Sequence, residues 1–408
     1  MRLHPKPRRR ARLFFLLALF ALRLSADEVA DLRKASDARP QHPTLLYRLA
    51  AGLEKNGQRE EAVRALERIA AMGFVYPVER DFPHERYADV RKRIAQNARP
   101  IGTSRHELTI DRLGLIPEGM AWDGKRLFVS SVRTGLIFAD GREFASVPWG
   151  AFGMAADPKG RVLWVTTTAL AQFENFAAGD KGRSALVAID LRSGKVLETY
   201  AAPEGEHHFG DVTVAPDGAV YVSDSRQPVI YCLCGAGSSP RGEDSRRRPE
   251  SRAEVRATLT AFVTGPFVSL QGLAVSGQTL YAADYSKGLF AIDRRTRDVL
   301  PVHVPSNVSL LGVDGLSTAG DGSLVATQNG TSPNRVIRIR LAPGGLRVMT
   351  VETLLANVPE MSDPTLGVVA GNRFFFNAKA QWDLFEDDGK ISDPLKLSEA
   401  VVLSVPLR

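Results

Sequence analysis

One short phrase recurs six times over the last three-quarters of the chain, and it limits the fold more than any other feature. The copies begin at Glu118-Gly119-Met120, Phe152-Gly153-Met154, Gly210-Asp211-Val212, Gln271-Gly272-Leu273, Asp314-Gly315-Leu316 and Leu366-Gly367-Val368. A polar turn follows most of them, such as Ala215-Pro216-Asp217-Gly218, and a strand-like run closes each: LFVSS, VLWVTT, AVYVSDS, TLYAADYS, SLVATQNG and RFFFNAKA. Two β-favouring runs joined by a tight Gly/Asp turn read as a hairpin. Hairpins repeating at unequal spacings of a few tens of residues read as propeller blades with loops of variable length. Residues 106–112 and 400–407 are also strand-like, and pairing them in one blade closes the ring and removes two open edges. The predicted architecture is an all-β six-bladed β-propeller with a small N-terminal α-helical domain.

Bulk charge does not argue for a polyanionic partner. The formal net charge is +7, but residues 1–26 hold seven Lys/Arg and no acid, leaving 46 Lys/Arg against 46 Asp/Glu. A balanced chain has no general electrostatic case for nucleic acid or an anionic membrane. The leader has its own reading. Arg8-Arg9-Arg10-Ala11-Arg12 precedes an apolar run from Leu13 to Leu22, then Ser25-Ala26 and an acidic start at Asp27. This is the layout of a signal peptide over 1–26, too short in its apolar part to span a bilayer. Export to a periplasmic or extracellular space, with no stable membrane insertion of the mature chain, is the expectation. The two cysteines, Cys232 and Cys234, are alternate residues of a predicted strand, with Cα atoms roughly 6.5–7 Å apart, so free thiols are expected.

Residues 27–99 are helical in pattern. Leu45, Leu46, Leu49 and Leu53 make one face, stopped by Asn56-Gly57; Ala62, Leu66, Ile69 and Ala70 make the next, ended by Gly73. The spacing Leu49-Ala50, Leu53, Gly57, Glu60-Glu61-Ala62, Leu66 resembles one tetratricopeptide repeat, which cannot bury its own faces. The segment therefore reads as a cap packed on the propeller or as a surface for a protein partner. Residues 100–105 read as a linker, and the propeller occupies 106–408, about fifty residues per blade. Residues 235–256, rich in Gly, Ser and Arg, read as a mobile loop insertion.

The residue leading each phrase comes from a different blade and faces a common axis: Glu118, Phe152, Gly210, Gln271, Asp314 and Leu366, with Asp211 adjoining. Two carboxylates about 5 Å apart repel by roughly 3 kcal/mol at an effective dielectric of 20, so such a ring needs a cation, a shared proton or an Arg. Oxygen donors of this kind suit Ca²⁺. The same residues also serve as caps for nearby backbone N–H groups, and that reading stays open beside the first. His207-His208 precede Gly210 closely enough to reach the same mouth, where a His transfers protons near neutral pH.

The phrases Pro117-Glu118-Gly119-Met120-Ala121-Trp122, Gly210-Asp211, Gln271-Gly272-Leu273 and Val313-Asp314-Gly315-Leu316 resemble those of the regucalcin/gluconolactonase (senescence marker protein) family, over residues 106–408. Paraoxonases and strictosidine-synthase-like propellers are more distant kin. The resemblance implies a metal held by Glu118 and Asp314, with Asp211 and Gln271 in place of the family's Asn-Asp and Asn-Gly phrases. It implies a divalent cofactor, Ca²⁺ foremost, and hydrolysis of a lactone or ester substrate, with Asp314 as base; the proton relay expected of His208 rests on its closeness to Gly210. The rival expectation is a noncatalytic binding or scaffold module. Trp122 and Trp164 read as inter-blade core, and Asp224 and Asp284 as turn caps.

Overall fold

The computed structural model describes residues 26–407 apart from 158, 160 and 235–257. Residues 1–25 of the expected signal peptide and the expected loop insertion lie outside the described residues. Among those described, no helix is long and apolar enough to cross a membrane.

Six four-stranded antiparallel sheets form the six-bladed propeller. Blades 1 to 5 run in chain order from innermost to outermost strand. Their innermost strands are Pro117–Trp122, Gly150–Ala156, Phe209–Val214, Leu270–Ser276 and Val313–Thr318. Blade 6 is composite: Gly367–Ala370, Arg373–Asn377 and Glu399–Pro406 are joined on the outside by Arg105–Leu113, the first strand of the chain. The pairing His106↔Leu403 and Thr109↔Val401 closes the ring as the sequence predicts.

The repeated phrase has a definite backbone form. In blades 1 to 5 the pairing of the two inner strands slips at the phrase, between Pro117 and Met120, Ala151 and Met154, Phe209 and Val212, Leu270 and Leu273, and Val313 and Leu316. Each phrase is thus a β-bulge inside the innermost strand, not a turn before it. A bulge re-aims the side chain it carries. The bulge N–H is taken by a hydroxyl on the second strand: Gly119 N donates to Ser130 Oγ at 2.7 Å, Asp211 N to Ser223 Oγ at 3.0 Å and Gly315 N to Thr327 Oγ1 at 2.8 Å.

Glycine is required at the bulge because the next blade's inner strand passes against it. A Cβ on Gly119 would fall on the Phe152 carbonyl oxygen, and one on Gly272 would stand 2.5 Å from the Asp314 carbonyl. One on Gly315 would stand 2.9 Å from the Leu366 Cα. Apolar layers fill the spaces between blades. Trp164, 2% exposed, packs with Tyr200, Phe209 and Val222 between blades 2 and 3, and Trp122 stacks on Phe375 between blades 1 and 6. Burying each such side chain contributes about 2 kcal/mol.

The helical unit comprises α1 (Ala26–Ala38), α2 (Pro43–Lys55), α3 (Arg59–Ala71), α4 (Val78–Asp81) and α5 (Ala88–Gln96). Gly57 and Gly73, at φ +75° and +80°, follow the ends of α2 and α3, as left-handed glycines do. The α2–α3 pair does not rely on further repeats to cover its apolar faces. Phe74, Phe82 and Tyr87, all buried, complete a local core with Leu46, Leu66 and Ile69. The unit also docks on blade 5: Val75 N donates to Ser332 O at 2.7 Å, and Ile101 pairs with Ala356. The predicted 100–105 linker is therefore bound to the propeller at Ile101.

Cys232 and Cys234 are joined in a disulfide, contrary to the expected free thiols. Strand Val229–Leu233 ends before Cys234, so the chain is no longer fully extended there and the Cα separation falls to 5.4 Å. That lies within the range a disulfide needs.

Gly119→Ala should cost about 3 kcal/mol or more, because the added methyl meets backbone that cannot rotate away. Gly179→Ala, with nothing within 4 Å of the added atom, should stay within about 0.5 kcal/mol of the parent in the same urea titration.

Candidate functional site

The bulges deliver carboxylates to one end of the axis, each from a separate blade. Glu118, Asp211 and Asp314 are 8%, 7% and 6% exposed, although their type is seldom buried without a partner. Glu118 is held from behind. Its carbonyl accepts Asn377 Nδ2 at 2.8 Å, Leu366 N at 3.2 Å and the Thr365 hydroxyl at 3.2 Å. Its Oε2 accepts the Trp382 indole N–H at 3.0 Å. Asp314 Oδ2 accepts Asn329 Nδ2 at 2.7 Å, and Tyr285 Oη donates to Asn329 Oδ1 at 3.0 Å.

Asp363 joins this group from the segment before blade 6, its Oδ2 accepting Trp382 N at 3.2 Å. Burial raises the proton affinity of Glu118 well above the ordinary value, and the charges of Asp314, Asp363 and Asp211 raise it further. Burial carries Asp314 to about 7, with Asp363 adding to the rise against the Asn329 hydrogen bond. Burial carries Asp363 to about 6. Among the described residues no Lys or Arg stands among the leading influences on Glu118 and Asp314, which are burial, other carboxylates, Trp382 and Asn329.

The four expected metal ligands are thus placed unevenly. Glu118 and Asp314 share one electrostatic environment. Asp211 adjoins them, but it occupies the glycine position of its bulge and leans across the blades. Its Oδ2 accepts Leu273 N of blade 4 at 2.8 Å, and a Cβ on Gly153 of blade 2 would fall on its Oδ1. Burial raises Asp211 to about 7 against that backbone hydrogen bond. Gln271 Nε2 donates to Ser269 Oγ at 3.3 Å, and its Oε1 would stand 3.9 Å from a Cβ on Gly210. Capping of backbone therefore describes Asp211, while Glu118, Asp314 and Asp363 act on one another through their charges.

The donors suit a hard cation in kind. Glu118 and Asp314 each keep one carboxylate oxygen without a protein donor among the described residues. Asn377, which holds the Glu118 carbonyl, has a buried Oδ1 with no partner. In arrangement they are not drawn together: among the described residues no three His, Cys, Asp or Glu side chains stand close enough to hold one ion.

The mouth has an aromatic wall. Phe152 packs edge-on against the His208 ring at 4.8 Å and stacks on Trp382 at 6.4 Å. Burial lowers His208 to about 4 despite the opposing charge of Asp224, so its imidazole is neutral near pH 7. His207 is instead buried, with Nδ1 2.7 Å from Asp224 Oδ2. Asp224 Oδ1 accepts Arg226 N and Gln227 N, and Asp284 Oδ1 accepts Ser286 N and Lys287 N, so both act as turn caps.

A long excursion from blade 6, residues 378–398, carries Trp382 over the mouth. Gln381 Oε1 accepts Ser398 N at 2.7 Å and ties its base. Gln172 Nε2 donates to Glu386 O at 2.9 Å and binds it to blade 2. Sequence reasoning did not single out Asp363 or Trp382, which belong to no repeated run, nor Tyr285, which lies within the run TLYAADYS. Asn329, within the run SLVATQNG, stood only among rim candidates, and the structure puts it on Asp314.

No protein-family model matches the chain, and no curated protein matches it. Similar solved structures include the PQQ-bound aldose sugar dehydrogenase from Streptomyces coelicolor, 16% identical with a TM-score of 0.46, covering 75% of this chain and 99% of that one. A calcium-binding protein, regucalcin from Agrobacterium tumefaciens, is 14% identical at 0.46, covering 74% and 96%. Virginiamycin B lyase from Staphylococcus aureus is 12% identical at 0.44, covering 73% and 87%. Likeness this loose carries no argument about chemistry; the fold stands on its own sheet order.

The titrations have a sign. A carboxylate whose folded value is raised stabilises the fold at low pH and loses that contribution as pH climbs through the folded value. His208 works the other way, its contribution being complete above its ordinary value of 6.5. The protein should therefore lose melting temperature as pH rises from about 6.5 to 8, where Asp211 and Asp314 complete their ionisation and the His208 contribution is already full. Asp314→Asn should flatten that slope in a calorimetric series.

Proposed function

We propose that the axial mouth binds a divalent cation, Ca²⁺ foremost, and that the exported protein hydrolyses a lactone or related ester there. The observation that carries this is the set of buried carboxylates Glu118, Asp314 and Asp363, with no basic counter-group acting on them among the described residues. Leaving such charges unpaired is costly, and a bound cation removes the cost. Glu118, Asp314 and the Asn329 amide oxygen are the donors that would hold it. A divalent ion bound there supplies Lewis-acid polarisation of a carbonyl oxygen.

The chain's own residues supply the rest. Asp314, near 7, is poised to take a proton from water at working pH. Asn329 orients Asp314, and Phe152 with Trp382 excludes water on the opposite side. His208 is a neutral imidazole at that wall, an acceptor or donor without charge. The disulfide at Cys232 and Cys234 accords with export into an oxidising space.

A noncatalytic binding module is the second reading, and Trp382 favours it. Its indole occupies a Glu118 oxygen, and excursion 378–398 covers part of the mouth.

Calcium should raise the melting temperature at about pH 8, where the carboxylates are ionised, and chelator should reverse it. Glu118→Gln and Asp314→Asn should each weaken calcium binding about tenfold or more in calorimetric titration. On a panel of sugar and acyl lactones, Asp314→Asn should lower turnover at least about 10²-fold. Calcium binding with no hydrolysis on that panel would select the binding-module reading. No calcium binding at all would remove the first.

A further inference from the structure

Of the two buried arginines among the described residues, Arg338 is paired with Asp321, and Arg335 is not used directly by the axial site. Arg335, at the start of the third strand of blade 5, is 5% exposed and has no carboxylate partner among the described residues. Burial lowers its proton affinity to about 10, which leaves it charged. Its contacts run in two directions. Toward the helical unit, Nη1 donates to Met72 O at 3.0 Å, and the guanidinium lies over the Phe74 ring, 4.5 Å from its centroid. Toward the propeller, Nε donates to Gln328 Oε1 at 2.7 Å.

Gln328 is the last residue of strand Leu324–Gln328, and its Nε2 donates to Ser309 O at 3.1 Å and Leu311 O at 2.6 Å. The next residue is Asn329, whose Nδ2 bridges Asp314 Oδ2 and Pro364 O at 2.7 and 2.9 Å. A continuous line of directed contacts thus joins the turn after α3 to the axial carboxylate. The fit at its outer end is close: Gly73 has φ +80°, and a Cβ there would stand 2.9 Å from Arg335 Nη1.

We infer that Arg335 is a positioning residue: by clamping the Met72–Phe74 turn of the helical unit to Gln328, it holds Asn329 against Asp314. The helical unit is then part of the axial site's support, and its seating governs how well that site is organised. The functional meaning rests on the cation reading above, but the geometry is testable without it. A charge buried without an acid is expensive to keep, and a hydrophobic side chain would pack against Phe74 as well. Its retention is explained when the guanidinium's separate donors are each needed, one for each body.

The test follows the Asn329 side-chain amide by NMR in isotope-labelled full-length protein, with Asn329→Ala identifying the resonance. In the parent the amide protons should be protected from solvent exchange. In Arg335→Met they should exchange about tenfold faster or more, the scale of one lost hydrogen bond. Arg335→Lys, which keeps charge but not the fork, should fall between them. Gly73→Ala reaches the same clamp from the helical side, leaves every propeller residue unchanged, and carries the test if Arg335→Met does not fold. Calcium affinity, measured on the same proteins with the metal alone, should fall in parallel. If backbone hydrogen exchange shows the helical unit released in either variant while the Asn329 amide stays protected, the inference is overturned. If the parent binds no calcium, the cation reading falls, and the amide measurement still decides this inference.

Discussion

The close approach of six innermost strands around one axis is the constraint from which the rest follows. Each must pass its neighbour nearly in backbone contact, as the Gly119–Phe152 and Gly272–Asp314 approaches show. A side chain at that point would hold the blades apart. The backbone bulges there, and a hydroxyl from the second strand takes up the freed N–H in blades 1, 3 and 5. The bulge turns the preceding side chain toward the axis. The repeat is therefore a packing device first, and it presents side chains to the axis as a consequence.

Blade 3 departs from this pattern in an informative way. Gly210 stands where the other blades carry a directed side chain, and Asp211 stands at the close-contact position. It is accommodated because Gly153 leaves room for its Oδ1 and because Leu273 N donates a hydrogen bond to its Oδ2. One carboxylate is thus used to join blades 2, 3 and 4, while the charge-sharing group moves to the opposite side of the mouth. There Glu118, Asp314 and Asp363 stand on blades 1, 5 and 6. Their raised proton affinities have a common origin in burial.

The mouth is bounded by two structures that the repeat does not specify. Excursion 378–398 reaches across from blade 6, with Trp382 bonded to Glu118 and its backbone tied to blade 2 through Gln172. The helical unit sits behind blade 5, where Arg335 joins it to the strand end carrying Asn329. One meets Glu118 and the other supports Asp314, so the two central carboxylates are each backed by a different appendage.

Local sequence pattern determined the blade number, the closure of the ring by its terminal strands, the helical unit's stops at Gly57 and Gly73, and the places of Glu118 and Asp314 at the head of their repeated phrases. These depend on local patterns that repeat, and repetition is visible in one dimension. The cysteine pair was misjudged because a strand's end, not its pattern, sets the separation of alternate residues. Gln271 and Asp211 were grouped with Glu118 by phrase position, yet a bulge divides its two residues between axis and neighbour, and sequence cannot say which way each leans. Only the tertiary structure brought Asp363, Tyr285, Asn329 and Trp382 to the mouth and Arg335 to Met72. Asp363 and Trp382 lie in connections of irregular length, and Tyr285, Asn329 and Arg335 lie at strand ends, so their partners are decided by what the chain packs against and not by any period of its own.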